Sequence, residues 1–371
     1  MNLGGIVFVF FCLALLTQLW YYFRFFYKLR AYSKKDAPAS DSPGASIIIC
    51  AKNEDDNLIE FLPFILRQDY PLYEVVVVND CSSDNTGDIL DEFARKYNHL
   101  KIVTIKEDDN YAHGKKLALM IGIKGAQYEH LLLTDADCKP QGKDWLKHMM
   151  SNFSEDTEIV LGYGAYEKCK GLLNKLIRFD TFYIALQYLS CSLAGKTYMG
   201  VGRNLAYKKS LFFKHKGFAS HYHIESGDDD LFINEAANNN NTQIEIHQQS
   251  FTFSKPKKTY KSWFQQKRRH LSTGRYYNFS SQFNLGLLLL SQYLFFVLFF
   301  LLLAIQFEVY TIFILFSFRY LVQLFTFKKS MEKLGERDLL LFSLLFEMML
   351  MFFYPIIAAS NVFLKKNKWK K

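Results

Sequence analysis

An uncharged apolar run near the start is the feature that most limits how this chain can fold. Residues 3–23 read LGGIVFVFFCLALLTQLWYYF, and about 20 apolar residues are enough for a helix to cross the hydrocarbon core of a bilayer. Arg24, Lys28 and Arg30 follow the run, and no small-residue cleavage site precedes them. Positively charged flanks stay on the cytoplasmic side. We therefore expect residues 1–30 to form an uncleaved anchor whose following chain lies in the cytoplasm.

The C-terminal third contains three further apolar runs, at residues 285–305, 309–327 and 339–364. We expect about three membrane segments within residues 284–365. Arg319 and Glu347 lie inside the second and third runs. An ionisable group is costly in hydrocarbon, so these two residues either pair with each other or reach the membrane surface. The sequence leaves both possibilities open.

The distribution of positive charge bears on the topology and on the partners of the chain. Four crossings would place the basic tail FLKKNKWKK outside, against the usual bias, unless one C-terminal segment is re-entrant or interfacial. The net charge of +9 is concentrated in this tail and in residues 255–283. Basic stretches beside membrane segments suit anionic headgroups, so we expect a membrane partner and no nucleic acid. The six cysteines show no metal-ligand spacing, which predicts reduced thiols and no zinc site.

Residues 44–254 have the pattern of a soluble α/β domain. Short apolar runs alternate with helical stretches, and the predicted strands are SIIIC (46–50), EVVVV (74–78), KIVTI (101–105) and HLLLT (130–134). Continuous apolar strands that alternate with helices are typical of a parallel sheet covered on both faces. We therefore predict a Rossmann-like α/β domain.

The residues that follow these strands are acidic rather than glycine-rich. No GxGxxG follows the first strand and no GxxxxGK[ST] occurs, which disfavours a dinucleotide dehydrogenase and a P-loop NTPase. Glu54, Asp80 and the pair Asp135 and Asp137 come directly after three of the strands. In open α/β sheets ligands bind beyond the carboxyl ends of the strands. We expect these carboxylates to face one crevice.

The DAD sequence at 135–137 suggests a divalent metal. Asp135 and Asp137 are predicted to leave an extended strand at alternate positions and so to project to one side, where they would repel each other. Mg²⁺ or Mn²⁺ removes that conflict and completes its shell with substrate phosphates and water. A bare DxD is more often a solvated turn. Asp80 and Glu54 are expected to face the same crevice, and these additional carboxylates favour a metal site here.

Together these motifs resemble the family 2 glycosyltransferases of GT-A fold. The resemblance rests on SIIICAKNEDDNL, LRQDYPLYEVVVVNDCSSDNT, HGKKLAL and LLLTDADCKP, in that order over about residues 44–140, and extends to about 270. It implies a mixed α/β catalytic domain over 44–254, flanked by one N-terminal and about three C-terminal transmembrane helices. It also implies a metal-dependent, inverting enzyme that moves a sugar from a nucleotide-diphosphate sugar to a lipid-linked or cell-surface glycan acceptor.

The resemblance also implies roles for individual residues. The nucleotide would be bound by Lys52, Asn53, Glu54, Asp80, Lys115 and Asp135. Asp137 is expected to be the more direct metal ligand, with Asp135 beside it.

Two later motifs resemble the catalytic elements of the same family. In ESGDDDL (225–231), Asp228 matches the catalytic base that takes the acceptor proton, and Asp229 remains the alternative. In QQKRRH, Gln266, Arg269 and His270 match the QxxRW element of membrane-associated members, with His in place of Trp. They would contact the diphosphate and the acceptor. MGVGRNLAY (199–207) lies where the family has a glycine-rich stretch near the acceptor.

Two other functions remain as alternatives. A nucleotidyltransferase also uses acidic metal ligands on a Rossmann-like sheet, and a membrane scaffold or transport component could retain a degenerate domain. The leading expectation is an integral membrane enzyme, of a bacterial inner membrane, with its catalytic domain in the cytoplasm. Neither the donor sugar nor the acceptor can be identified from the sequence.

Overall fold

The computed structural model describes residues 3–34, 42–106 and 114–363, with side chains described through residue 361. The basic tail after Phe363 and His113 of the HGKK motif therefore lie outside the described residues.

Ten strands occur in the described ranges: β1 (Ala45–Ala51), β2 (Tyr73–Asp80), β3 (Leu100–Ile105), β4 (His130–Asp135), β5 (Cys138–Pro140), β6 (Ile159–Leu161), β7 (Gly164–Tyr166), β8 (Leu205–Lys208), β9 (Thr242–Ile244) and β10 (Thr252–Ser254). The four strands predicted in the first half of the domain are all present as β1 to β4. Each differs from its predicted bounds by at most two residues at either end.

The α-helices of the same ranges are α1 (Leu3–Tyr21), α2 (Tyr27–Ala31), α3 (Asp55–Ile65), α4 (Thr86–Lys96), α5 (Lys115–Gly125), α6 (Trp145–Met150), α7 (Leu172–Leu193), α8 (Lys209–Lys214), α9 (Asp230–Ala236), α10 (Tyr260–Leu271), α11 (Phe279–Ala304), α12 (Val309–Lys333) and α13 (Ser343–Phe363). A π-helical segment, Tyr22–Phe26, joins α1 to α2, and 3₁₀ turns lie at Ala219–His221, Gln248–Ser250, Gly274–Tyr276 and Arg337–Phe342.

A mixed sheet forms the centre of the soluble domain. Within the described residues its order is β3-β2-β1-β4-β8-β6-β9. The first four strands are parallel, β8 is antiparallel to β4 and to β6, and β9 is parallel to β6. A smaller sheet has the order β5-β10-β7. The predicted α/β class and parallel first half are confirmed, and the antiparallel β8 makes the whole sheet mixed.

The run of leucines in β4 shows why this sheet is buried on both faces. Successive side chains of a strand point to opposite faces. Leu131 and Leu133 belong to the same buried cluster as Leu119 of α5, whereas Leu132 belongs to the cluster that contains Leu58 of α3 and Trp145 of α6. A strand covered on both sides has no polar face, and its sequence is therefore continuously apolar.

Four helices in the described ranges are long and apolar enough to cross a membrane: Leu3–Ala31, Phe279–Ala304, Val309–Lys333 and Arg337–Asn361. One is N-terminal and three are C-terminal, as predicted. The second of these begins before the apolar run at 285 because its first turn is polar. The side chain of Asn278 caps that turn by accepting a hydrogen bond from the Ser281 N–H, at 2.9 Å.

A buried polar network joins these four helices. Arg319 of α12 donates to the Glu347 carboxylate of α13, with Nη1 2.8 Å from Oε2. Its Nε also donates to Gln18 Oε1 of α1 at 2.8 Å. Gln292 Nε2 of α11 donates to Glu347 Oε1 at 3.2 Å. Arg319 and Glu347 therefore pair inside the protein, and the pairing sets the relative positions of all four helices.

Substitution of one partner of the Arg319–Glu347 pair should lower the unfolding free energy much more than substitution of both partners. Arg319→Met leaves the buried Glu347 carboxylate without its cation and with only the Gln292 amide named above as a donor, at a cost of about 3–5 kcal/mol of unfolding free energy. The double variant Arg319→Met/Glu347→Leu should be closer to the wild type, since no lone charge remains. Thermal unfolding in detergent is measured for the wild type, Arg319→Met, Glu347→Leu and the double variant, which together form a double-mutant cycle. Strictly additive losses would contradict a direct pair.

Candidate active site

The carboxyl ends of β1, β2 and β4 form one edge of the sheet. These strands are parallel neighbours, and Cys50 near the end of β1 is in register with Val78 of β2 and with Asp135 of β4. Asp80 is the last residue of β2, is only 1% exposed, and therefore lies at this edge. Lys52, half-buried, follows β1 at the same edge. The predicted convergence of the strand ends is present.

The loops after β1 and β2 are bonded to each other. Asn53 donates its N–H to Ser82 Oγ at 3.1 Å, and its Oδ1 accepts the N–H of Ser83 at 2.8 Å. Glu54 donates its N–H to Thr86 Oγ1 at 3.0 Å. These bonds hold Asn53 and Glu54 against the loop that follows Asp80, so that the two loops form a single wall.

Both loops contain a residue in the left-handed region. Asn53 has φ of 54° and Cys81 has φ of 52°. Asn tolerates this conformation, whereas it costs other non-glycine residues of order 1 kcal/mol or more. Such backbone strain tends to occur at functional sites. Here it turns the chain sharply at the end of β1 and β2.

Asp135 and Asp137 lie close together, but not for the reason expected. The strand does not continue through the pair: β4 ends at Asp135, and Asp137 lies in the turn before β5. The turn folds the chain back, so ligand atoms of Asp135, Asp137 and Cys138 all lie within 4.8 Å of one another. Burial and the Asp135 charge raise the pKa of Asp137. A cation would relieve this crowding.

Lys115 connects this strand edge to the acidic run at 228–230. It is the first residue of α5, and its Nζ lies 2.9 Å from Asp135 Oδ1 and 2.9 Å from Asp228 Oδ2. Burial acts against the Lys115 charge, but the two carboxylates raise its pKa well above the ordinary value. Lys115 therefore bridges two carboxylates that are far apart in the sequence.

The three aspartates of the acidic run face different partners. Asp228 faces Lys115. Asp229 is the N-cap of α9, with Oδ1 accepting the Asp230 N–H at 2.8 Å and Oδ2 accepting the Gly202 N–H at 2.7 Å. Burial and the neighbouring carboxylates raise the pKa of Asp229 to about 7. Burial would also raise the pKa of Asp228, but Lys115 holds it below the usual range.

Asp230 anchors the chain before α11. Its Oδ2 accepts hydrogen bonds from Thr273 Oγ1 at 2.5 Å and from the Tyr277 hydroxyl at 2.8 Å. Gly227 has φ of 93°, and a Cβ there would lie 2.4 Å from Leu231 Cδ1. A larger residue at 227 would therefore clash with the first turn of α9.

Helix α10 presents the QxxRH residues to the same cleft. Gln266 Nε2 donates to the Tyr166 hydroxyl at 3.1 Å. Arg269 and His270 are exposed, and the Arg269 charge contributes to the lowered pKa of Asp228.

Arg203 is a cleft residue that the sequence analysis did not single out. Its guanidinium lies over the Tyr166 ring, 4.4 Å from the centroid, and donates to the Gly164 carbonyl at 2.8 Å. Its charge acts to lower the pKa of Asp137, against the effect of burial. The only signal was its place in MGVGRNLAY, which indicates a loop near the acceptor but no role for the arginine.

Comparison with known proteins identifies the domain. Residues 46–215 match the family model described as Glycosyl transferase family 2. The chain carries a family 2 glycosyltransferase domain. The matched range includes the strand-end residues and Lys115, but ends before the acidic run and α10.

Relatives of this family 2 domain include several glycosyltransferases. The "Probable glycosyltransferase YdaM" of Bacillus subtilis (strain 168) is 28% identical over 242 residues, which is 63% of this chain and 56% of that protein. A poly-beta-1,6-N-acetyl-D-glucosamine synthase of Staphylococcus epidermidis is 37% identical over 94 residues, or 25% of this chain and 22% of that protein. The chain thus spans about half or less of the curated relatives' length.

A solved structure confirms the fold. The mannosyltransferase of Pyrobaculum calidifontis, in complex with GDP-Man and Mn²⁺, aligns with a TM-score of 0.58 at 17% identity, covering 97% of this chain and 98% of that one. The family 2 domain therefore has the GT-A-like mixed α/β fold, with one N-terminal and three C-terminal candidate membrane helices.

Asp228 and Asp230 should contribute differently to the stability of the protein. Asp230→Asn should lower the unfolding free energy by about 2 kcal/mol, because a charged acceptor of two buried hydroxyls is lost. Asp228→Asn should cost less, since Lys115 keeps Asp135 as a partner and the repulsion of Asp229 and Asp230 by Asp228 is removed. Chemical denaturation of both variants measures the difference. Equal losses would contradict the division of roles.

Proposed function

We propose that the chain is a metal-dependent, inverting glycosyltransferase that uses a nucleotide-diphosphate sugar. The observation that carries the proposal is the meeting of Asp137, Lys115 and Asp228 in one cleft. A sugar transfer of this kind needs a cation for the diphosphate and a carboxylate for the acceptor proton. Lys115 contacts both Asp135 and Asp228, so the proposed metal ligands and the proposed base lie on either side of one side chain.

Asp137 and Asp135 are the proposed ligands of Mg²⁺ or Mn²⁺. Their carboxylates crowd one another, and the pKa of Asp137 is raised, which is the electrostatic situation that a hard divalent cation relieves. The archaeal mannosyltransferase of similar fold was solved in complex with Mn²⁺, which supports the same class of ion. When bound, the ion supplies charge neutralisation for the departing nucleoside diphosphate.

The strand-end residues and α10 are proposed to hold the donor from two sides. Lys52, Asn53, Glu54 and Asp80 line the edge where a nucleoside fits beyond the strands, with Lys115 and Asp135 between them and the acidic run. On the other side, Arg269 offers a planar guanidinium to the diphosphate, with Gln266 and His270 beside it.

Asp228 is the proposed catalytic base. Its contact with Lys115 keeps the carboxylate ionised, as a proton acceptor must be before the reaction. Asp229 is the weaker candidate because each of its oxygens already accepts a backbone N–H. Proton transfer to Asp228 accompanies attack of the acceptor oxygen on the anomeric carbon, opposite the departing diphosphate, which inverts the configuration.

The acceptor is proposed to be a lipid-linked or cell-surface glycan. Helix α10 packs against α13, one of the candidate membrane helices, so the cleft lies close to the end of the membrane helices. The staphylococcal relatives are named as synthases of a polysaccharide. These observations favour an integral protein of a bacterial inner membrane whose cleft opens to the cytoplasm, where nucleotide sugars are made.

Loss of the base should abolish transfer without loss of donor binding. Asp228→Asn is expected to lower kcat by a factor of about 10²–10⁴, the usual contribution of a positioned base. The assay is release of nucleoside diphosphate from UDP- and GDP-sugars with Mn²⁺ and a membrane extract as the acceptor source. Asp91→Asn, an exposed carboxylate on α4, is the matched control. Equal rates for Asp228→Asn and the wild type would rule out Asp228 as the base.

Loss of the proposed metal ligand should change the metal requirement. Asp137→Asn is expected to raise the Mn²⁺ concentration for half-maximal activity by about tenfold or more, as changes at metal sites commonly do. The same control should leave that concentration unchanged. Wild-type transfer that persists in excess chelator would contradict metal dependence.

A further inference from the structure

Helix α10 has one face on the cleft and another face inside the protein. Arg269 and His270 are exposed, whereas Lys267 is only 7% exposed. Successive helical residues are turned by about 100°, so Lys267 and Arg269, two positions apart, project to nearly opposite sides. Whatever holds Lys267 therefore sets the direction of Arg269.

Lys267 is held by a buried carboxylate of α7. Its ammonium forms an ion pair with Asp180 Oδ2, and the Asp180 side chain is fully buried. The other carboxylate oxygen, Oδ1, accepts a hydrogen bond from the hydroxyl of Tyr354 on α13. Lys267, Asp180 and Tyr354 thus form a triad that joins α10 to a core helix and to a candidate membrane helix.

Further contacts hold α10 against α13. The Trp263 ring meets Phe353 edge-on, with centroids 5.4 Å apart. Asn361 Nδ2 donates to the Arg268 carbonyl at 3.1 Å. Arg268, itself buried, also donates from Nε to Asn361 Oδ1 at 3.3 Å. These contacts run along the length of α10, and the Lys267 contact with the α7 carboxylate pairs two opposite charges.

The position of α13 is itself specified near the triad. Pro355 has no N–H, so it cannot donate to the Met351 carbonyl one turn earlier in the helix. The Tyr293 hydroxyl of α11 donates to that carbonyl instead. The turn of α13 that carries Tyr354 is therefore fixed to a second candidate membrane helix.

We infer that Asp180, Lys267 and Tyr354 are positioning residues for the diphosphate contact. The triad sets the rotation of α10, and through it the placement of Arg269 and Gln266 at the cleft. This inference rests on the proposed function, because it assumes that Arg269 meets a diphosphate. Tyr354 lies on the candidate membrane helix α13, so the geometry of the donor site would depend on the position of that helix.

The consequence is specific to the phosphate end of the donor. The nucleoside end is proposed to contact the strand edge at Asp80 and Glu54, which the triad does not touch. A rotated α10 should therefore weaken binding of a nucleoside diphosphate and leave binding of the monophosphate unchanged. General unfolding would weaken both.

The test measures dissociation constants of UDP, UMP, GDP and GMP with Mn²⁺ for the full chain in detergent. For whichever base binds, Asp180→Asn should weaken the diphosphate about tenfold and leave the monophosphate within about twofold. Its kcat should fall by about 100-fold, the size expected for misplacement of about 1 Å.

Tyr354→Phe, which leaves the ion pair intact, should lower the diphosphate affinity and kcat by smaller factors. Lys267→Arg should retain more diphosphate affinity than Lys267→Met.

Glu336→Gln is the matched control. Glu336 is also buried and also pairs with α7, through Arg178, but it does not contact α10. It should change neither affinity. Equal weakening of mono- and diphosphate by Asp180→Asn, or the same effect from Glu336→Gln, would overturn the inference while leaving the proposed function intact. A wild-type chain that binds no nucleotide with Mn²⁺ would overturn both.

Discussion

The contact of Lys115 with Asp135 and Asp228 is the interaction on which the candidate site depends. It brings the end of a central strand and the start of α9 to within one side chain of each other, at 2.9 Å on both sides. Asp137 lies beside Asp135, and burial together with the Asp135 charge raises the pKa of Asp137. This crowding of carboxylates is the basis of the proposed site for a divalent cation.

Each part of the cleft is fixed by a different layer of the molecule. The sheet supplies the strand ends, and their position follows from continuous apolar strands buried on both faces. The acidic run is held by Asp230, through Thr273 and Tyr277, to the chain that enters α11. Helix α10 is held by Lys267 to α7 and α13. The candidate membrane helices, joined by Arg319 and Glu347, therefore also support the cleft.

Much of the fold was predictable because its signals are local. Strands β1 to β4 and the four candidate membrane segments are continuous patterns of residue type, and the structure has these strands within two residues of the expected bounds. The family 2 match also favours a glycosyltransferase over the nucleotidyltransferase that the sequence left open. Asp80 and Asp135 were predictable at the same edge of the sheet because they end parallel strands.

Other features depend on contacts between distant segments and carry no local signal. The turn that brings Asp137 to Asp135 looks like an extended strand in the sequence. Arg203 is one arginine in a loop, and only the fold places its charge near Asp137. Asp180 lies within a long helix, and only tertiary packing buries it beside Lys267.

The proposed function depends above all on a metal ion held at Asp137 together with a nucleoside diphosphate. Anomalous diffraction at the manganese edge, from crystals of the full chain with Mn²⁺ and UDP or GDP, tests it most directly. The account predicts an anomalous peak between the Asp137 carboxylate and the diphosphate. A bound nucleotide with no peak in this cleft, or with manganese held away from Asp137, would contradict it.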